Sequence, residues 1–443
     1  MSKIQITGGR PLRGTITIDG AKNSLLPIMT ACLMIDGSVR LRHVPQITDL
    51  RQMLHILAGL GCHVNRQGDT VKIDVHQPSS HIIDPTAARQ IRGSIFVMGA
   101  MLARLGAVEL PYPGGCSIGN RPIDLHLNLL RQIGVKIKAT ATVIRATYTP
   151  KPKRRPTVVT LDFPSVGATE NIIQATALGC AGNIFQIVGA AKEPEIVDLC
   201  NFLNQCGAQI TGAGTDTITV TSVTRLHGTD YTPIPDRINT GSYLIATAVA
   251  GGDVTLRNVI PAHNINLINK LRAIGAKITA TADSLHIVVK RRRRHNFTLH
   301  TAPYPGFPTD LQSQFGVLLA VNPGRSIINE NLFENRFRYV PELTKLGAKI
   351  TLHGNQALIH GVKQLHAQPT SNLCPSAYQI PAPATCTGTI LNATDLRGGV
   401  ALVIAALAAN GTCTIDHAEY IARGHQDIVK DLQQLGANIV ALP

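Results

Sequence analysis

Leu346-Gly347-Ala348-Lys349-Ile350 closes a leucine-rich amphipathic stretch, and five other segments of the chain repeat its pattern. They are Leu60-Gly61-Cys62-His63-Val64, Ile133-Gly134-Val135-Lys136-Ile137, Cys206-Gly207-Ala208-Gln209-Ile210, Ile274-Gly275-Ala276-Lys277-Ile278 and Leu435-Gly436-Ala437-Asn438-Ile439. Successive glycines lie 73, 73, 68, 72 and 89 residues apart. Self-similarity at so regular a spacing is the signature of a repeated supersecondary unit. The chain is therefore read as a sixfold repeat.

Outward from each glycine the anatomy is constant. A small-residue, apolar helix opens the unit, as in Asn23 to Leu33 or Leu396 to Ala409, and a Gly or Asn-Gly is expected to stop it. A short strand follows, such as Ser38-Val39-Arg40-Leu41 or Thr412-Cys413-Thr414-Ile415. A second helix then runs to the glycine, for example Ile265 to Ile274, with apolar residues at helical spacing. A hairpin ends the unit, as in Lys277 to Ala280, a turn at Asp283, then Leu285 to Val289. The alternation Thr217-Ile218-Thr219-Val220-Thr221 gives such strands one wet face. The opening helices, apolar nearly all round, should be buried.

Six βαβ-type units divide most simply into three and three. The expected fold is α/β, two inverse α/β-barrel-like domains of three βαβαββ-type units each. The break falls near Pro233-Ile234-Pro235, giving a domain over 22–234 and a discontinuous one over 1–21 and 235–443. The N-terminal strand, Ile4 to Ile18, would pair with the last unit. The long final spacing places an insertion at Gln364 to Asn392, with four prolines and no Asp, Glu, Lys or Arg, which reads as an irregular loop.

Composition bounds the rest. Hydrophobic residues make up 44% of 443, which is ample for a core. The longest apolar run, around Val400 to Ala409, is half the ~20 residues of a membrane helix. The N-terminus lacks a signal-peptide apolar region, so a soluble cytoplasmic protein is expected. Nine scattered cysteines without a CxxC pair suit a reducing compartment. The +15 net charge points first to nucleic acid, but much of it sits in Lys151-Pro152-Lys153-Arg154-Arg155 and Lys290-Arg291-Arg292-Arg293-Arg294. With 4% aromatics and no Trp, stacking platforms for bases are scarce, and solvated loops are the preferred reading of both runs. Nucleotide-loop, zincin and serine-hydrolase motifs are absent, and the sixteen histidines show no ligand spacing, so no metal or cofactor is expected.

Three constellations carry chemistry. In Pro111-Tyr112-Pro113-Gly114-Gly115-Cys116-Ser117-Ile118-Gly119-Asn120-Arg121-Pro122, glycine and proline make a loop that exposes Cys116. A thiol near Arg121 and a helix start can have a lowered pKa, and chemistry alone leaves open a reactive residue or a bystander. By contrast Cys32 and Cys180, in apolar helices, read as inert core. A second set is basic: Lys22-Asn23, Arg92 and Arg397 open first helices, while Arg121, Arg336 and Arg423 lie near second ones. Equivalent positions in superposable units can converge, and helix N-termini add positive potential for anions. Finally, Asp310 in Phe307-Pro308-Thr309-Asp310 is either a helix cap or a base. Glu193-Pro194-Glu195 is a helix start.

These residues resemble the enolpyruvyl transferases over essentially the whole chain. The resemblance is carried by Gly20-Ala21-Lys22-Asn23, Pro113 to Gly119, Arg121-Pro122-Ile123-Asp124-Leu125-His126 and Ser165-Val166-Gly167-Ala168-Thr169, then by Phe307 to Asp310, Phe333-Glu334-Asn335-Arg336 and Ala393-Thr394-Asp395-Leu396-Arg397. The Cys116 loop points to the branch acting on UDP-N-acetylglucosamine rather than shikimate 3-phosphate. The resemblance implies a site in a cleft between two three-unit domains and no metal or organic cofactor. It implies transfer of the enolpyruvyl group of phosphoenolpyruvate to the sugar's 3′-hydroxyl, with release of phosphate. Lys22, Asn23, Arg121 and Arg423 would hold phosphoenolpyruvate, with Arg92 and Arg397 beside them. Asn23, Arg92, Arg121, Pro122, Ile123, Asp124, Leu125, Ser165, Val166, Asp310 and Leu332 would contact the nucleotide sugar. Cys116 would be general acid and the thiol alkylated by fosfomycin, and Asp310 the base.

Departures from the family pattern are Asn239 for a usual Glu, Ala422 for Asp, His425 for Tyr, Phe163-Pro164 where some members have Lys, and the insertion. None removes a catalytic residue, and the insertion leaves room for another nucleotide acceptor. The alternative of a different class is a non-catalytic basic repeat protein on nucleic acid.

Overall fold

The computed structural model describes residues 3–75, 78–114, 123–367 and 388–443. All six repeat glycines sit at the end of a helix with φ between +85° and +102°. A side chain is strained there, and glycine is not. Each helix closes with the same two bonds. Gly61 N–H donates to the Ala58 carbonyl and Cys62 N–H to that of Leu57, both at 3.0 Å. The equivalent pairs at Gly134, Gly207, Gly275, Gly347 and Gly436 span 2.9–3.2 Å. This Schellman arrangement satisfies the terminal carbonyls and turns the chain into the hairpin.

The hairpins build one sheet per repeat. In the fourth, Gly252–Arg257 pairs antiparallel with Ser284–Val289, placing Val254 opposite Ile287, and Lys277–Ala280 pairs with the other edge of Ser284–Val289. Five sheets are four-stranded and the second repeat's has three strands among the described residues. The fourth strand is always parallel. In repeats three, five and six it is the segment before the first helix: Thr157–Thr160, Thr298–His300 and Thr389–Asn392.

Repeats one and four exchange that strand. Leu12–Thr17 leads into the first helix of repeat one but pairs with Gly252–Arg257 of repeat four. Asp230–Tyr231 leads into the first helix of repeat four but pairs with Gly37–Leu41 of repeat one. The chain accordingly forms two compact bodies, which change over at Ile18/Asp19 and Pro235/Asp236. Residues 19–235 carry repeats one to three, and residues 3–18 with 236–443 carry four to six.

Within each body the three first helices pack together. Arg237–Ala250, Gln312–Val321 and Leu396–Ala408 form one such core, joined by Gln314 Nε2 donating to Ser242 Oγ at 3.2 Å and Ser313 Oγ donating to the Arg397 carbonyl at 3.0 Å. Lys22–Ala31, Val97–Leu105 and Val166–Ala177 form the other. There Thr30 Oγ1 donates to Gln174 Oε1 at 3.0 Å, and a Cβ on Gly99 would lie 2.3 Å from the Asn171 carbonyl oxygen. Helices so enclosed have little solvent-facing side, which is why their sequences are mostly apolar and polar side chains such as Gln174 and Gln314 bond to the helices beside them.

Several expectations are corrected. The N-terminal strand is two strands serving two sheets: Lys3–Thr7 pairs with Thr412–Asp416 and Asn438–Leu442, and only Leu12–Thr17 pairs with repeat four. The break falls at Gly8, where a Cβ would lie 2.3 Å from the carbonyl oxygens of Ala406 and Ala409. First helices do not all stop at glycine: in repeat six Ala409 is already extended, and Ala409–Asn410 pairs with Leu365–His366 before Gly411 turns the chain. The ends of the insertion are thus strands, Leu365–His366 and Thr389–Asn392, and residues 368–387, with Cys374 and Cys386, lie outside the described residues. Cys180 lies beyond its helix, half-buried, donating to the Pro150 carbonyl at 3.4 Å.

The second basic run is not wholly solvated. Arg292 donates to the carbonyls of Ala248 (3.2 Å) and Val249 (2.6 Å), capping the helix Arg237–Ala250, and burial lowers its pKa. Lys153 in the first run sits over the Phe185 ring at 5.2 Å and donates to Thr157 Oγ1 at 2.9 Å. Among the described residues no helix is long and apolar enough to cross a membrane.

Candidate active site

In the body of repeats four to six, Asp310 is held between two arginines. Its Oδ1 accepts from Arg336 Nη2 at 2.5 Å and its Oδ2 from Arg397 Nη2 at 2.7 Å. The arginine side chains are only 3% and 5% exposed, while the carboxylate is 27% exposed. Asp310 therefore does not cap the helix Gln312–Val321, and no side chain caps that helix start. Two buried cations around one carboxylate are retained only where geometry and further bonds compensate their desolvation. Arg336 also donates to the Thr309 carbonyl at 3.2 Å and lies over the Phe333 ring at 5.6 Å.

Caps and turns fix these side chains. Asp395 accepts from Arg397 N–H at 3.0 Å and Gly398 N–H at 2.9 Å, which starts the helix Leu396–Ala408 and sets where Arg397 emerges. Buried Glu330 accepts from Thr301 Oγ1 (2.9 Å), Thr309 Oγ1 (3.0 Å) and Leu332 N–H (3.0 Å). It thereby ties the loop carrying Asp310 to the loop carrying Leu332. Asp236 caps the helix Arg237–Ala250 through Ile238 and Asn239 N–H, and Arg237 lies over the Tyr304 ring at 5.5 Å. Asn239 Nδ2 donates at 3.0 Å to the carbonyl of Gly424, the residue after the half-buried Arg423.

In the body of repeats one to three, Lys22 opens the helix Lys22–Ala31 and pairs with Asp49 at 2.7 Å, the two side chains 12% and 5% exposed. Asn23 follows it on the first turn. Asp198 anchors that helix, accepting from Ser24 Oγ, from Tyr231 Oη at 2.6 Å and from Ile234 N–H at 3.1 Å. Arg92 starts the 3₁₀ turn Arg92–Phe96 and donates to the Pro113 carbonyl at 3.4 Å. That bond reaches the last described residues before the cysteine loop. Gly114 there is so close to Arg89 that a Cβ would lie 1.6 Å from the Arg89 carbonyl oxygen.

Three element starts meet in this body. A Cβ on Gly167 would touch both His126 and Phe96 at 3.0 Å, so the helices Val166–Ala177 and Asp124–Gln132 and the Arg92 turn are in close contact. Asn171 secures them, its Nδ2 donating to the Ile95 carbonyl (3.1 Å) and to His126 Nδ1 (2.8 Å), its Oδ1 accepting from Gly99 N–H (2.8 Å). Ser165 caps Val166–Ala177 through Ala168 N–H at 3.4 Å. Arg92, Ile123, Asp124, Leu125, Ser165 and Val166, expected around the nucleotide, thus come from segments that pack together.

Cys116, Arg121 and Pro122 lie outside the described residues. Cys32, Cys62, Cys200, Cys206 and Cys413 are buried and behave as core. Burial pushes the Cys62, Cys200, Cys206 and Cys413 thiols up to about 12 and Cys32 well above its usual value. Among the described residues no group of three or more His, Cys, Asp or Glu side chains could hold a metal ion.

The sequence profile of the family described as EPSP synthase (3-phosphoshikimate 1-carboxyvinyltransferase) matches residues 6–432. The chain belongs to this enolpyruvyl transferase family. Its members include full-length relatives named UDP-N-acetylglucosamine 1-carboxyvinyltransferase. That of Caldanaerobacter subterraneus subsp. tengcongensis, numbered 2, is 42% identical with all of both chains covered. That of Acinetobacter baylyi is 38% identical, with 99% of each covered. Among solved structures the enolpyruvyl transferase NikO of Streptomyces tendae superposes with a TM-score of 0.83 at 23% identity over 99% of both chains. EPSP synthase of Acinetobacter baumannii gives 0.71 at 17% over the whole of both. At such identities the structures speak for the fold, the two-domain α/β architecture of enolpyruvyl transferases.

For an enolpyruvyl transferase, the sequence reading left three partners of the site unassigned. Asp49, which pairs with Lys22, carries nothing in its spacing that singles it out. Arg336 was visible as a cation at a repeat junction, but nothing in the spacing tied it to Asp310. The buried Glu330 had no sequence signal at all beyond its place after a strand.

Proposed function

We propose that this enolpyruvyl transferase moves the enolpyruvyl group of phosphoenolpyruvate to the 3′-hydroxyl of UDP-N-acetylglucosamine and releases phosphate, the first committed step of peptidoglycan synthesis in the cytoplasm. The observation that carries the acceptor's identity is full-length likeness, at 42% identity, to chains named for that reaction.

The chemistry is addition followed by elimination. The acceptor hydroxyl oxygen bonds to C2 of phosphoenolpyruvate, its proton passes to a base, and C3 gains a proton to become a methyl. The C2–O bond to phosphate then breaks and C3 gives a proton back, restoring the double bond. Asp310 takes the hydroxyl proton. Its ion pairs fix the carboxylate in direction, and a positioned base is what general base catalysis requires. Cys116 supplies the proton to C3.

Lys22, Asn23, Arg121 and Arg423 take phosphoenolpyruvate's phosphate and carboxylate, with Arg397 beside them and Arg92 reaching the nucleotide. Cations placed before the reaction stabilise charge on the departing phosphate without reorganising. Ile123, Asp124, Leu125, Ser165 and Val166, with Arg121, Pro122 and Leu332, hold the nucleotide sugar. Binding both anions in fixed orientation supplies much of the acceleration.

Phosphate release with phosphoenolpyruvate and an acceptor panel tests this. UDP-N-acetylglucosamine should support turnover, and UMP and shikimate 3-phosphate should not. Turnover with shikimate 3-phosphate alone would reassign the acceptor.

A further inference from the structure

The body of repeats four to six contains an open groove that the catalytic reading does not use. It lies along one side of the helix Ile265–Ala273 and the segment His295 to Thr298, and has a volume of about 590 Å³. Small-molecule sites run from roughly 300 to 1,000 Å³. The groove has room for a molecule of sugar size.

Its chemistry is one-signed. Lys270 and His295 line it together with Asn266, Asn269, Asn296 and Thr298, and no Asp or Glu is among the lining residues. Lys270 is half-buried and has no carboxylate partner among the described residues. Burial alone lowers its pKa, with no neighbouring anion to offset the loss of water. An ammonium placed this way is stabilised by an arriving anion, and lysine binds phosphate as a compact point charge. Exposed Arg294 immediately precedes His295, exposed Arg291 lies three residues before Arg294, and both add to the positive field.

The remaining groups suit hydroxyls. Asn269 and Thr298 are exposed and offer donors and acceptors at the groove's lip, and exposed Asn296, whose Oδ1 accepts from Arg325 N–H at 3.0 Å, offers its Nδ2 as a donor. Asn266 Nδ2 donates to the Pro305 carbonyl at 3.3 Å, which leaves its carboxamide oxygen as an acceptor. The His295 ring lies 4.3 Å from that of Phe297, a contact that steadies it in the groove wall.

We propose that this groove is a binding site for a phosphomonoester of hexose size, separate from Asp310 and its arginines, with Lys270 and His295 on the phosphate and the asparagines and Thr298 on the sugar hydroxyls.

The test is calorimetric titration of the full chain with glucose 6-phosphate as probe and glucose as the uncharged control. Glucose 6-phosphate should bind and glucose should not. Lys270→Gln should weaken binding at least tenfold with an unchanged melting temperature. Lys270→Arg should stay within about threefold of the parent, and Lys22→Ala should leave binding intact. The proposal is overturned by no binding at millimolar probe, by equal binding in Lys270→Gln, or by loss in Lys22→Ala, which would place the anion at the catalytic cations.

Discussion

Arg397 Nη2 donates to Asp310 Oδ2 at 2.7 Å although 87 residues separate them, because Asp310 lies in the turn before the buried helix Gln312–Val321 and Arg397 on the first turn of the neighbouring repeat's Leu396–Ala408. The repeat thus does more than duplicate a fold: its geometry sets a carboxylate from one copy against a cation from the next. Replacing Asp310 by Asn keeps the shape and removes the charge. The turnover number should fall by about 10²–10⁴, the range a positioned base contributes. Two nearly buried guanidiniums would lose their shared anion, and stability should fall toward the roughly 3–5 kcal/mol typical of a broken buried pair. Steady-state kinetics and urea unfolding on the same preparation check both.

The six glycines give a prediction about the repeat itself. Around Gly347, at φ +85°, a Cβ would meet nothing within 4 Å, whereas at Gly61, φ +99°, it would lie 2.7 Å from Ser79 Oγ and 2.9 Å from Ser79 N. Gly347→Ala should cost only the conformational strain, about 1–2 kcal/mol. Gly61→Ala should cost clearly more. Equal losses on urea unfolding would show that strain alone matters.

Arg292 separates structural from solvated charge within one run. Arg292→Gln should destabilise by roughly 1–3 kcal/mol, since buried carbonyls lose a charged donor. Arg291→Gln and Arg294→Gln, on exposed positions, should each stay within about 0.5 kcal/mol. Thermal unfolding of the three variants decides it.

Glu170, in the helix Val166–Ala177, is buried with neither carboxyl oxygen hydrogen-bonded in the structure, and burial followed by Glu195 and Glu193 raises its pKa well above the usual value. With the folded pKa raised, the folded state binds the proton more tightly than the unfolded chain. Its cost is therefore absent below the unfolded value of about 4.3 and grows as pH rises toward the folded value. Glu170→Gln should be more stable than the parent at pH 8, by a margin that shrinks toward pH 4. A margin independent of pH would contradict the buried-acid account.

Thiol reactivity gives a fifth prediction. Buried cysteines with raised pKa react slowly because the thiolate is the nucleophile. Brief iodoacetamide treatment at pH 7.5 should label Cys116 well before Cys32, Cys62, Cys200, Cys206 or Cys413, as read by peptide mass spectrometry. Cys116→Ala should be nearly inactive, while Cys116→Asp, which retains an acid, should turn over and lose sensitivity to fosfomycin.

What the sequence made legible follows from what is local. The glycine phrase is a backbone requirement of one helix end, so six copies could be counted without coordinates, and the all-apolar helices announced their burial. The exchanged strands could not be read, because Leu12–Thr17 and Asp230–Tyr231 carry no mark of which sheet they join. Arg292 looked like its neighbours in the run, and only the position of the Val249 carbonyl distinguishes it. Asp310 was recognised but its two arginines were not assigned to it, since pairing across repeats is a property of packing rather than of spacing.

The most direct test is proton NMR of the reaction of the pure protein with phosphoenolpyruvate and UDP-N-acetylglucosamine in D₂O. Addition followed by elimination predicts an enolpyruvyl ether on the 3′-oxygen whose vinyl carbon carries solvent deuterium, formed in step with free phosphate. Unchanged phosphoenolpyruvate, or an ether with no deuterium in its vinyl group, would contradict the account.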